Sequence, residues 1–152
     1  MAINVLVYLS RMTTLLEPQA IQALVQHASI KNKREDITGV LLIVGNHFVQ
    51  FLEGPENSID TVFEAIKRDD RHCDVAVILK ESTQERAFGE WSMTSIRFGK
   101  EIELTSDAEK LLAKRLEYIV EKRGLSIRAM KEMIVTIPNI LLKQEKQAAE
   151  FR

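Results

Sequence analysis

The sequence reads as an α+β sandwich with a five-stranded mixed sheet, on three grounds. Strand-like and helix-like apolar periods alternate in the order β-α-β-β-α-β-β over the first 98 residues. Two apolar runs flank Gly45-Asn46, a hairpin signal. Two amphipathic helices interleaved with five strands are most simply accommodated side by side on one sheet face, the layout of a ferredoxin-like sandwich.

The elements follow in order. AINVLVYLS (2–10) alternates as a strand should, with Ile3, Val5, Val7 and Leu9 on one face and Leu6, Tyr8 and Ser10 on the other. EPQAIQALVQHASIKN reads as a helix: Pro18 suits a first helical position, and Ile21, Leu24, Val25 and Ala28 follow helical spacing. DITGVLLIVGNHFVQFLEGP supplies the hairpin, closed by Pro55. ENSIDTVFEAIKRD gives the second helix through Ile59, Val62, Phe63 and Ile66. DVAVILKE is a fourth strand, and WSMTSIRFG, after a polar loop, can make a fifth that includes Trp91 and Met93.

Residues 99–152 differ in kind. Ser106 and Glu109 form a capping box before the stripe Leu112, Leu116, Ile119 and Val120, with Gly124 as the stop. LSIRAMKEMIVTI carries Ile127, Met130, Met133 and Ile134 on one side, and Pro138 is expected to break it. ILLKQEKQAAEF is then a further short helix or a frayed tail. The expected division is an α+β sheet unit at 1–98 and a helical appendage at 99–152 that packs on the sheet or on a partner.

Composition narrows the function classes. At 45% hydrophobic and 28% charged the chain is an ordinary globular protein. No apolar run approaches the ~18 residues of a membrane span, and the start lacks a basic region and cleavage site, so a cytoplasmic location is expected. Cys73 is alone, so a disulfide framework or Cys-based zinc site is not expected. His27, His47 and His72 are scattered, which argues against a metal hydrolase. The net charge of −1 offers no long-range attraction for nucleic acid.

Four polar or aromatic residues stand out: Tyr8, Asn32, Gln50 and Trp91. Each has an ordinary reading. Tyr8 can be strand packing, Gln50 an edge exposure, Asn32 a helix C-cap and Trp91 plain packing. Together they suggest more. If both helices cover one face, Tyr8 and Gln50 lie on neighbouring strands of that face and Asn32 descends beside them, making an apolar pocket with converging polar groups. Amides carry a donor and an acceptor, which suits a flat heteroaromatic ligand. Lys31, Lys33, Arg34 and Arg71 can reach phosphates.

The stretch N-x4-ITG-x-L-x6-F-x-Q-x-LEG, with YLS upstream (8–10) and WSM downstream (91–93), resembles the BLUF family of blue-light sensors that bind flavin. The resemblance covers about residues 1–98. It implies FAD as cofactor, with FMN and riboflavin left open. It implies Tyr8 as the electron and proton donor and Gln50 as the switch between Tyr8 and the flavin. Asn32 would hold the ring, and Lys31 and Arg71 would contact the cofactor. Trp91 and Met93 would transmit the signal. Lys31 and Ile43 depart from common family residues, which bears on phosphate contacts and ring packing. No enzymatic activity is expected; the output would be altered binding to a downstream signalling protein or altered homo-oligomer assembly, without membrane or nucleic-acid binding. The competing reading is a non-photochemical ligand-binding or interaction module of the same fold. A cysteinyl-adduct photoreceptor does not fit Cys73, and an acylphosphatase-like enzyme lacks its Gly-rich, Arg-bearing loop.

Overall fold

The computed structural model describes residues 3–99 and 104–150. Its elements are β1 (Ile3–Met12), α1 (Pro18–Arg34), β2 (Thr38–Val44), β3 (His47–Gly54), α2 (Glu56–Lys67), β4 (His72–Thr83), β5 (Ser95–Phe98), α3 (Asp107–Lys122) and α4 (Ile127–Glu150). The strand order is β4-β1-β3-β2-β5. The first four strands pair antiparallel, and β5 adds parallel to β2. Each helix returns the chain past an intervening strand, β3 for α1 and β1 for α2. These are two interlocked split β-α-β units, and the common handedness of such crossovers puts both helices on one face.

The period-two pattern sorts the core into two layers. Leu6, Tyr8, Leu41, Phe48 and Leu52 pack against Ile21 of α1 and Ile59 and Phe63 of α2. Val5, Val7, Leu9, Val40, Leu42 and Phe51 pack on the other side against Leu112, Leu116 and Ile119 of α3 and Met130, Met133 and Ile137 of α4. The appendage is thus the third layer of the sandwich, and its stripes find the sheet face opposite α1 and α2, except that Ile127 of the expected second stripe is 44% exposed on the outward side.

Local geometry explains the motif glycines. Gly45, at φ +61°, takes the left-handed first position of the two-residue turn between Val44 and His47. A Cβ on Gly39 would lie 2.0 Å from the Phe51 carbonyl oxygen, so no larger residue fits the β2–β3 rung there.

Four expectations need correction. The fifth strand is only Ser95–Phe98, so Trp91 and Met93 sit in the loop before it. That loop still tracks β2: Gly39 N–H donates to the Trp91 carbonyl and Leu41 N–H to the Thr94 carbonyl. Its backbone therefore runs at the sheet edge without completing a ladder. Second, Pro138 does not break α4, which is one helix of 24 residues. An interior proline costs roughly 3 kcal/mol. Here Met130, Met133 and Ile137 before it and Ile140 and Leu141 after it are all buried, so burial on both sides holds the axis together. Third, the residues after Pro138 belong to this helix through Glu150, with Phe151 outside the described residues. Fourth, the left-handed residue ending α3 is Arg123, at φ 56°, one position before Gly124. The N-terminal cap is as expected, with Glu109 N–H donating to Ser106 Oγ at 3.1 Å. Among the described residues no helix is long and apolar enough to cross a membrane.

Candidate functional site

A cavity of about 320 Å³ lies on the α1/α2 face of the sheet. That is within the range of small-ligand pockets. Tyr8, Asn32, Gln50, Lys31 and Arg71 all line it, so five of the seven candidate residues meet in one place. Trp91 and Met93 do not line it.

Tyr8 and Gln50 are directly opposite in the β1–β3 register. Their exposures are 3% and 5%, so Gln50 is not an edge residue facing water. The Tyr8 hydroxyl donates to Gln50 Oε1. Gln50 Nε2 donates to the Met93 sulfur at 3.3 Å. A thioether is a weak acceptor, and an amide nitrogen has two hydrogens, so Gln50 keeps donor capacity toward the cavity. Burial, with a lesser contribution from the Asp69 carboxylate, pushes the Tyr8 phenol far above its ordinary pKa, so it stays a hydrogen-bond donor throughout the working pH range.

β4 departs from regular pairing on either side of Tyr8. The β1–β4 register shifts between Val7 and Tyr8 and again between Leu9 and Arg11. Such irregularities re-aim side chains; here they bracket the residue whose direction matters most.

Asn32 is 2% exposed and lies within the last turn of α1. Its Nδ2 donates to the Ser92 carbonyl at 3.0 Å, and Ser29 and Ser92 hydroxyls meet at 2.6 Å. Its backbone carbonyl accepts from Ile37 N–H at 2.8 Å, which turns the chain into β2. Asn32 is therefore more than a cap: it holds the loop that carries Met93. Lys31 and Arg71 are exposed at the cavity wall. Arg71 is clasped by Asp69, whose carboxyl is held below its usual range by hydrogen bonds from that guanidinium.

The loop before β5 divides across the sheet. Met93 packs with the α1/α2 layer, whereas Trp91 packs with the α3/α4 layer. Trp91 Nε1 donates to Glu145 of α4 at 2.6 Å, and Gln144 Nε2 to the Ser95 carbonyl at 3.3 Å. One short segment thus touches Gln50, Asn32 and α4.

Two buried polar residues, His72 and Glu53, were not among the candidate site residues. His72, also lining the cavity, bridges the Ser10 hydroxyl (2.8 Å) and the Ile66 carbonyl (2.7 Å), and its ring lies 6.1 Å from that of Tyr8. Its signal was its place beside Arg71, in a segment that the family resemblance brings near the flavin. Glu53 is 1% exposed, and it accepts from Thr38 Oγ1 and from the Ala87 and Phe88 N–H groups. Its signal was plain: an acid on the same strand face as Val49 and Phe51. It anchors the segment leading to Trp91. Among the described residues no group of His, Cys or acidic side chains could hold a metal ion.

These features define a small-ligand sensor site: two buried amides with donor and acceptor ends, a buried phenol, and cations at the wall. They suit a flavin, whose ring edge offers carbonyls and nitrogens and whose tail can carry phosphate. The family described as sensors of blue light using FAD, BLUF, matches residues 3–94, and the chain belongs to it. It is a flavin-binding blue-light sensor. It is 35% identical over 94 residues to photoactivated adenylate cyclase subunit beta of Euglena gracilis, a match covering 61% of this chain and 11% of that protein. It is 34% identical over 91 residues to the blue light- and temperature-regulated antirepressor BluF of Escherichia coli (strain K12), covering 60% of this chain and 23% of the relative. The chain thus matches only a small part of these curated relatives. Among solved structures, the dark state of the BLUF protein BlrB superposes with a TM-score of 0.64 at 34% identity, covering 79% of this chain and 91% of that one. BlsA in its photo-activated state gives 0.71 at 25% identity, covering 88% and 92%.

Proposed function

We propose that blue light acts on this protein through a Tyr8–Gln50 hydrogen-bond switch beside bound FAD, and that Met93 and Trp91 carry the change to α4. The observation that bears most weight is the buried chain Tyr8–Gln50–Met93 at the cavity wall. Bound flavin would supply absorption of blue light and an electron acceptor. Tyr8 would release an electron, and its proton toward Gln50 Oε1, and would take both back as the charge separation decays, so the net change is one of hydrogen bonding alone. Gln50 then changes which end of its amide faces Tyr8, by rotation or tautomerisation, and presents a new donor to the ring. Its bond to Met93 is lost or remade in the same event, which disturbs the loop held by Asn32 and Glu145.

Asn32 holds the ring edge, and Lys31 and Arg71 meet the cofactor's phosphates, which favours FAD over riboflavin. Residues 1–98 are the light-sensing unit and residues 99–152 the output. That output is a change in binding to a downstream signalling protein in the cytoplasm, or in self-association, rather than catalysis. Relatives include enzymes, the photoactivated adenylate cyclases, of which the matched region is a small part.

The test is spectroscopic. Reconstitution with FAD, FMN or riboflavin is followed by absorbance before and after blue light. FAD should bind most tightly, and illumination should give a red shift that reverses in the dark. A protein that binds flavin without any light-induced shift would contradict the reading.

A further inference from the structure

Beyond the flavin site, α3 and α4 present a second apolar face. Their first faces are spent on the sheet. Outward, Leu111, Ile127 and Val135 are 46%, 44% and 68% exposed, and they line a groove of about 710 Å³ between the two helices. We propose that this groove docks an amphipathic helix of a partner protein that carries acidic residues along its flanks.

Shape and charge argue for that occupant. The trough between two packed helices accepts a third helix by the same ridge-and-groove fit that joins the first two. The lining residues Arg115, Arg128 and Lys131 are cationic, against one carboxylate, Glu132. Glu132 is already engaged by Arg115 and lies 3.9 Å from Arg128. Lys131 is exposed and makes no ion pair among the described residues. The groove therefore stays positive on a chain whose net charge is −1. Arginine pairs well with carboxylates in a fixed fork, so acidic flanks are the complement.

The same charges disfavour a second copy. A two-fold contact through this groove would set Arg128 and Lys131 close to their own counterparts. An acidic helix of another protein has no such conflict.

The test uses the flavin-loaded full chain and a fluorescein-labelled, helix-stapled peptide with leucines at i, i+3, i+4 and i+7 and glutamates on both flanks. A control peptide has lysines in place of the glutamates. Fluorescence anisotropy should show binding of the acidic peptide, weakening with added salt, and none of the lysine peptide. Val135→Asp should abolish binding. Lys131→Glu should weaken it by about tenfold or more, equivalent to ~1.4 kcal/mol. Both positions are exposed, and an unchanged flavin spectrum would verify folding. No binding of the acidic peptide, equal binding of both peptides, or binding that survives Val135→Asp would overturn the proposal. So would sedimentation showing a dimer that Val135→Asp converts to monomer, which would assign the groove to a second copy.

Discussion

The Tyr8 hydroxyl donates to the Gln50 side chain across a single rung of the β1–β3 pairing, and both groups are buried. The bond fixes the amide orientation: Oε1 faces the phenol, so Nε2 faces Met93. Once the phenolic proton is gone, neither the Tyr8 oxygen nor Gln50 Oε1 can donate to the other, so any loss of that proton must change the pairing.

Tyr8→Phe keeps the ring, with its contacts to Phe63 and His72, and removes the hydroxyl. The variant should bind flavin and lose the light-induced red shift. The Gln50 oxygen left behind costs roughly 1–3 kcal/mol if it finds no other donor. A normal, reversible shift in this variant would remove Tyr8 from the photochemistry.

The raised Tyr8 pKa makes a stability prediction of its own. In the unfolded chain the phenol ionises near pH 10, whereas in the fold it stays protonated well above that. Below pH 10 both states hold the proton and this residue gives no pH dependence. Above it the unfolded state loses the proton first, so stability should fall by up to about 1.4 kcal/mol per pH unit. Chemical denaturation from pH 8 to 11 should show this alkaline loss in wild type and a shallower one in Tyr8→Phe. Identical slopes would contradict the assignment.

Asn32→Ala removes a donor to the Ser92 carbonyl and, on the proposed reading, the amide that holds the flavin ring. Flavin affinity should fall by up to about tenfold, the worth of one net hydrogen bond of 0.5–1.5 kcal/mol. Trp91 should report the loosened loop through its fluorescence, because it is the only tryptophan in the chain. Unchanged flavin affinity by titration would reduce Asn32 to a structural residue.

Glu145→Ala deletes the acceptor for the Trp91 indole. The contact is near the surface, so its stability cost should be modest, about 1 kcal/mol. Trp91 emission should move toward that of a solvated indole, while the dark flavin spectrum and its light-induced shift remain. Light-dependent changes in Trp91 emission should shrink or vanish. If they persist in full, the path from the site to α4 does not run through this bond.

Much of the fold was legible because burial imposes a period. Val5, Val7 and Leu9 against Leu6 and Tyr8 assign each residue to a sheet face from spacing alone, and Gly45-Asn46 fixes the β2–β3 register. The same alternation puts Tyr8 and Gln50 on one face, while their direct pairing comes from the β1–β3 register of the fold. What the sequence did not disclose depends on distant partners. Pro138 looks like a stop locally, yet buried residues on both sides carry α4 through it. Trp91 and Met93 look like strand residues, but the register with β2 closes only at Ser95, leaving them to point to opposite layers. Glu53 and His72 are buried by segments far away in the chain.

The switch requires Gln50 to reverse its hydrogen bonding, and light-minus-dark infrared difference spectroscopy of wild type beside Gln50→Leu reads that reversal at the flavin itself. Leucine keeps the approximate volume and removes the amide, so flavin should stay bound. In wild type, Gln50 should give the flavin C4 carbonyl a new donor, seen as a downshift of its stretching band under blue light that reverts in the dark. In Gln50→Leu that downshift should be absent. The same downshift in both proteins would rule out the Gln50 switch and leave Gln50 a packing residue.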